Sequence, residues 1–309
     1  MFSKISVRNI PQHIFNALEV LATKHDRSTE AEVRQAIQAW VEPTLVQEER
    51  NTRRREVAER LTRLLEQVND YRHDKLRPSH VAQQIGLERA EEVEDWFLGE
   101  KEPSFNELSK VAALFGIEAP WLIHGDGKMY PVEGIRLSED PVEAVEWLTT
   151  WPDPADSLRA LHLIRANDEA GSLYVVKESE RQCFLMYHTP THVSESIGAG
   201  GEAMLMHLFV TLELLYKRWT KGGAGYHVSG HQIRPDELSL LMKGNRNPGS
   251  FLENNGVSMW WEDIWDRSMI DRNTYWTGWR SLCDRIERAI AATPRLSEIR
   301  QNIRNGELR

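Results

Sequence analysis

The first forty residues constrain this chain most, because they read as a folding unit too small to close a core of its own. Lys4-Ile-Ser-Val-Arg-Asn-Ile-Pro11 alternates apolar with polar residues, the period-2 pattern of a half-buried strand. Ile5 and Val7 share one face; Lys4, Ser6 and Arg8 share the other. Pro11 suits the first position of a helix, where its missing N–H costs nothing. Ile14, Leu18, Leu21 and Ala22 then recur at helical spacing. A second helix follows from a Ser28-Thr29 start, with Thr29 and Glu32 spaced as a capping box. Its apolar stripe is Val33, Ala36, Ile37, Trp40 and Val41, and Pro43 is expected to end it. So small a unit must bury that stripe against something else.

Strand, tight polar turn and two helices together resemble the ribbon-helix-helix fold of Arc-type regulators and of Fit-type antitoxins. The resemblance covers about residues 1–42. It implies a homodimer, because the family pairs one strand from each chain. It also implies a double-stranded DNA partner. The paired ribbon enters the major groove, where base edges present distinct donor and acceptor patterns. By this resemblance Lys4, Ser6 and Arg8 face the bases, Arg8 being suited to a bidentate contact with guanine. Arg27, Ser28 and Thr29, at the start of the second helix, hold a phosphate.

Charge distribution is consistent with that partner at one end only. The whole chain carries −9. Residues 1–55 hold nine basic and seven acidic side chains, residues 56–129 nine and fifteen, and residues 130–309 twenty and twenty-five. Only the first segment has the sign that a phosphate partner favours. Arg53, Arg54 and Arg55, with Arg50, extend phosphate contact or form a solvated helix face; the sequence leaves both open.

Beyond Pro43 another helix carries Val57, Leu61, Leu64, Leu65 and Val68 on one side. Arg77-Pro-Ser-His-Val-Ala-Gln-Gln-Ile-Gly-Leu87, Gly99-Glu-Lys-Glu-Pro-Ser-Phe-Asn-Glu-Leu108 and Trp121-Leu-Ile-His-Gly-Asp-Gly127 follow. With Ala82 at a helix corner and Gly86 at a turn, residues 56–127 resemble the five-helix helix-turn-helix domain of Cro and phage repressors. The resemblance places a recognition helix over about residues 89–98. That helix carries Glu91, Glu92, Glu94 and Asp95, which phosphates repel. Auxiliary DNA contact, dimerisation and binding of another protein all stay open for this domain; Glu91, Glu94 and Asp95 would suit a basic protein partner, and Pro78 stands where many relatives place a phosphate-binding Gln.

Residues 130–309 resemble no family that their motifs identify. Residues 173–178 and 181–188 read as a hairpin, and Glu202 to Lys221 as a long helix. A shorter helix is expected over 235–243, and a helical tail over about 277–305, broken near Pro294. Trp260, Trp261, Trp265, Trp276 and Trp279 concentrate apolar area. They form a core or dimer contact, or a partner or ligand surface. His188/His192 and His227/His231 have metal-like spacing, but Pro190 and Gly230 interrupt a regular helix, so no metal site is expected. Gly198-Ala-Gly-Gly201 lacks the Lys-Ser/Thr of a phosphate-binding loop. No cofactor is implied, and no nucleophile, base or paired-carboxylate set points to catalysis.

The expectation is a multidomain, mainly α protein. Residues 1–43 form a ribbon-helix-helix unit, 44–129 a helical linker with a helix-turn-helix domain, and 130–309 an α+β sensor, partner-binding or effector domain. It would act as a dimeric transcriptional regulator, an autorepressor, or as an antitoxin or phage-defence component that binds a partner protein. Higher assembly on DNA stays open. Two cysteines make no disulfide framework, and no apolar run reaches the length of a membrane span, so a cytoplasmic protein is expected.

Overall fold

The computed structural model describes residues 6–221 and 225–308; at Leu45, Val46 and Glu49 it describes the backbone alone. Lys4 and Ile5 lie outside the described residues.

Residues 6–10 form no ladder with any other described residue of the chain. Helix α1, Gln12–Lys24, follows, with Pro11 as its N-cap rather than its first residue. Helix α2, Thr29–Tyr71, is 43 residues long, about 64 Å at 1.5 Å per residue. Its length corrects the expected end at Pro43. Pro43 lies inside the helix, where it deprives the Ala39 carbonyl of a donor at a cost of ~3 kcal/mol. The helix continues because its downstream half is buried: Val57, Leu61, Leu64 and Val68 all face a core.

Four short helices pack on that half: α3 Pro78–Gln84, α4 Glu91–Leu98, α5 Phe105–Phe115 and α6 Ala119–His124. Their ends are chemically marked. Ser104 and Glu107 form a reciprocal capping box on α5. Gly99, Gly116 and Gly125 close α4, α5 and α6 in the left-handed region. Arg60 of α2 donates to the terminal carbonyls of Leu122 and Ile123, at 2.9 and 3.1 Å, and so fastens α6 to α2.

The remainder is an α/β assembly. Strand β1 Val132–Gly134 precedes α7 Pro141–Thr149; β2 Leu158–Ala166, β3 Ser172–Ser179 and β4 Phe184–His192 then form a meander. Helix α8, Ala199–Thr220, crosses over to β5 His227–Ile233. The order is β1-β4-β3-β2-β5; β1 lies parallel to β4, β5 parallel to β2, and the inner pairs are antiparallel. The expected hairpin is the β3–β4 pair. Six helices complete the chain: α9 Pro235–Met242, α10 Pro248–Asn254, α11 Trp260–Asp263, α12 Arg267–Arg272, α13 Trp279–Ala291 and α14 Pro294–Asn305.

Both faces of the sheet are covered, which suits its parallel edges and explains the near-continuous burial of β2 and β3. Leu161, Leu163, Val175 and Val228 join α7, α8 and α11–α14 in one core. Ile164, Val176, Phe184, Met186 and Ile233 join the downstream half of α2, α3–α6, α9 and α10 in a second. In the first, buried Arg300 of α14 donates to Glu213 of α8 at 2.6 Å and to both carboxylate oxygens of Glu287 at 2.8 Å, satisfying charges that burial alone would penalise.

Candidate nucleic-acid interface

The turn between α1 and α2 is built by three side chains. Asp26 adopts φ +51°, a conformation Asp tolerates better than most residues. Ser28 Oγ caps α2 by accepting from the Ala31 N–H at 3.1 Å, so Ser28 takes the capping role. Glu32 is not the capping-box partner that its spacing suggested. Its carboxylate is buried and turns back to the turn itself, meeting His25 Nδ1 and Arg27 Nε at 3.0 Å each. This clamp fixes the chain as it enters α2. The N–H groups at Thr29 and Glu30 begin a long helix and have no carbonyl one turn earlier to accept them, the arrangement that receives an anion. Arg27 stands beside them, its side chain 35 % exposed.

Ser6, Val7 and Arg8 are exposed ahead of α1; Lys4, the remaining expected base contact, lies outside the described residues. Among the described residues of this segment, only Ala22 and Glu32 are buried. Ile14, Phe15, Val20 and Leu21 of α1 and Ile37, Trp40 and Val41 of α2 are all exposed, Trp40 at 83 %. The stripe read from the sequence is therefore an uncovered face within one chain.

Arg53, Arg54 and Arg55 lie elsewhere. Arg53 follows Thr29 by about 36 Å along the helix axis, from its 1.5 Å rise per residue. Arg53 pairs with Glu102 at 3.0 Å and lies over the Phe105 ring. Arg54 donates to the Glu100 carbonyl at 3.2 Å. Both hold the α4–α5 connection against α2. Arg55 is exposed. Nothing in the sequence marks this role, since the acceptors, the Glu102 carboxylate and the Glu100 carbonyl, lie nearly fifty residues downstream.

Helix α4 buries Val93 and Trp96 and presents Glu91 and Glu94 to solvent, with Asp95 half-buried. Glu92 pairs with Lys101. The exposed surface is thus acidic, with Leu98 70 % exposed at its end.

The five C-terminal tryptophans form no surface, which corrects the reading of a partner or ligand face there. Trp260, Trp261 and Trp279 are at most 1 % exposed, and Trp265 and Trp276 at most 9 %. They pack edge to face, Trp276 on Trp279 at 4.7 Å and on Trp260 at 6.1 Å. Helices as short as α11 and α12 have little other apolar area with which to hold the sheet. The histidine pairs sit on strands β4 and β5, and no group of three metal-binding side chains occurs among the described residues. A groove of about 490 Å³ lies between α2, α9 and α10, lined by Gln67, Asp70, Leu240, Arg246, Ser250 and Asn254 among others. Among the described residues no helix is long and apolar enough to cross a membrane.

Comparison with known proteins bears on the first forty residues. Residues 4–41 match the family described as antitoxin FitA-like, ribbon-helix-helix. A 41-residue stretch is 44 % identical to a protein named as a plasmid stability protein in Sinorhizobium fredii. The match covers 13 % of this chain and 48 % of that protein, so this chain spans about half the length of that relative. No solved structure matches the chain. The N-terminal segment is thus similar to ribbon-helix-helix antitoxin domains, which pair and bind DNA.

Proposed function

We propose that this protein is a sequence-specific DNA-binding regulator that works as a homodimer. The observation that carries the reading is the uncovered stripe of α1 and α2 beside a clamped, cation-flanked helix start. A second copy would cover the stripe and supply the strand that residues 6–10 lack. Ser6 and Arg8, with Lys4, then read bases, while Arg27, Ser28 and Thr29 hold a phosphate on each side. The five-helix body of α2–α6 acts in assembly rather than in base readout, because its exposed α4 surface is acidic. The C-terminal body serves as a sensing or interaction domain, and repression of the chain's own operon is the mode that follows.

The test is a salt titration of binding to the DNA upstream of its own gene, wild type beside Arg8→Ala. Wild type should bind specifically and lose affinity steeply with salt. Arg8→Ala should lose ~1–3 kcal/mol of specific binding, while remaining a dimer by light scattering. Specific binding unchanged in the variant would remove Arg8 from base readout.

The descriptions of the matched family and of the similar protein support a second reading, that of the DNA-binding half of an antitoxin or phage-defence module. The C-terminal body would then hold a toxin or be the effector. Co-purification with the product of a neighbouring gene, through residues 130–309, separates this from simple autoregulation.

A further inference from the structure

On the sheet face that α2 covers, five polar side chains form one row, buried at His231 and Glu178, mostly buried at His162 and open to solvent at Arg159. His231 of β5 lies 3.1 Å from His162 of β2, Nε2 to Nδ1. His231 Nδ1 lies 2.7 Å from the Gly256 carbonyl. His162 Nε2 lies 3.8 Å from Glu178 Oε2 of β3, the two side chains 13 % and 3 % exposed. Glu178 also accepts from Arg159 at 3.1 Å and from the Tyr71 hydroxyl at 3.0 and 3.1 Å. Tyr71 is the last residue of α2.

Donor and acceptor rules fix the hydrogens along this row. A carbonyl only accepts, so His231 Nδ1 carries a proton. Burial and the neighbouring imidazole lower the His231 pKa to about 4, so the ring is neutral and its Nε2 is bare. His162 Nδ1 must then be the donor between the two rings. That leaves His162 Nε2, which has no hydrogen-bond partner among the described residues and faces a carboxylate oxygen. With the ring neutral, two lone pairs would oppose each other in a buried gap; Glu178 Oε2 would keep the Tyr71 hydroxyl as donor, and His162 Nε2 would have no partner.

We propose that His162 Nε2 carries a proton, and that His162, as an imidazolium against Glu178, makes this gap a proton-binding site on the seam between the sheet and α2. The proton comes from solvent and turns an acceptor–acceptor contact into an ion pair. Among the described residues, Glu178 of β3 faces it as acceptor, Arg159 of β2 pairs with the outer oxygen from a 43 % exposed position, and His231 of β5 stays neutral. Tyr71 of α2 stays protonated, its pKa pushed up by burial and by Glu178, with Glu253 of α10 adding in the same direction. The carboxylate that the proton orients is the one that anchors the end of α2. Loss of the proton sets a bare nitrogen against Glu178 and weakens that anchor.

The experiment is ring-nitrogen NMR on the full chain labelled in histidine, near neutral pH. The His162 ring is assigned by its loss in His162→Gln, or by its nuclear Overhauser contact with His231 if that chain does not fold. Both His162 nitrogens should show protonated-type shifts, and His231 the neutral Nδ1–H pattern. In Glu178→Gln the second His162 proton should be lost at the same pH. A neutral His162 in the wild-type chain overturns the proposal, as does an imidazolium pattern that persists unchanged in Glu178→Gln.

Discussion

At the scale of single residues, the protein places charge in its interior only where the surroundings settle it. Lys177, 1 % exposed, lies over the Trp147 ring and donates to the Thr150 carbonyl at 3.0 Å; burial lowers its pKa to about 8. Arg165 likewise sits beneath Trp276, 4.0 Å from the ring centroid, and donates to the Val193 carbonyl at 2.8 Å. His231 has a direct pH consequence. Its pKa falls from the ordinary 6.5 to about 4 in the fold, so protons bind the unfolded chain more readily. Stability from this group is complete above about pH 6.5 and is lost as pH falls towards 4, by up to ~3 kcal/mol. Denaturant midpoints measured across that window should therefore fall less in His231→Gln than in wild type. An equal fall in both would show that other groups govern the acid limb.

At the scale of elements, α2 unites three tasks along one axis: a capped start, an uncovered stripe and a buried downstream half. Pro43 sits between the stripe and the buried half. Replacing it by alanine restores the Ala39 acceptor, and Pro43→Ala should stabilise this stretch by up to ~3 kcal/mol. Slower hydrogen exchange of the amides around residues 42–47 is the readout, and unchanged exchange would mean the helix already accommodates the proline without strain. The stripe makes a separate prediction. Large apolar side chains at such a face act as interface anchors, so Trp40→Glu should weaken dimerisation by ~2–4 kcal/mol. Sedimentation should show monomers at concentrations where wild type is dimeric, with helix content by circular dichroism retained. A variant as dimeric as wild type would place Trp40 outside the interface.

For the whole molecule, the shared second core governs behaviour. Ile164, Val176, Phe184, Met186 and Ile233 of the sheet are buried together with α2–α6 residues. Each contributes ~2 kcal/mol on burial. Uncovering all five forfeits about 10 kcal/mol, comparable with the ~5–15 kcal/mol stability of an ordinary domain. Expression of residues 130–309 alone should therefore give aggregated or molten material, whereas residues 50–308 should fold as a monomer with cooperative thermal unfolding. A well-folded, soluble 130–309 fragment would show that this face needs no cover. The uncovered apolar face of α1 and of the start of α2 makes the complementary point: within one chain this body does not cover it.

What was legible in the sequence follows from periodicity and local chemistry. The helical stripe ending at Val41, the Ser28 turn, the β3–β4 hairpin and the long α8 each depend on neighbours a few residues apart, and such patterns are written locally; the strand expected from the alternation that begins at Lys4 is not formed by residues 6–10 within one chain. Strand β2 alternates Leu161, Leu163 and Arg165 against His162, Ile164 and Ala166, with residues of both sets buried, so its pattern gave no inside and outside to read. The continuation of α2 through Pro43, the engagement of Arg53 and Arg54 with the α4–α5 connection, the burial of all five tryptophans and the row from His231 to Tyr71 were decided by the tertiary structure alone. The reason is physical. Burial, ion pairing and proton placement depend on which distant groups fold within a few ångströms of one another, and no local spacing in the chain carries that distance.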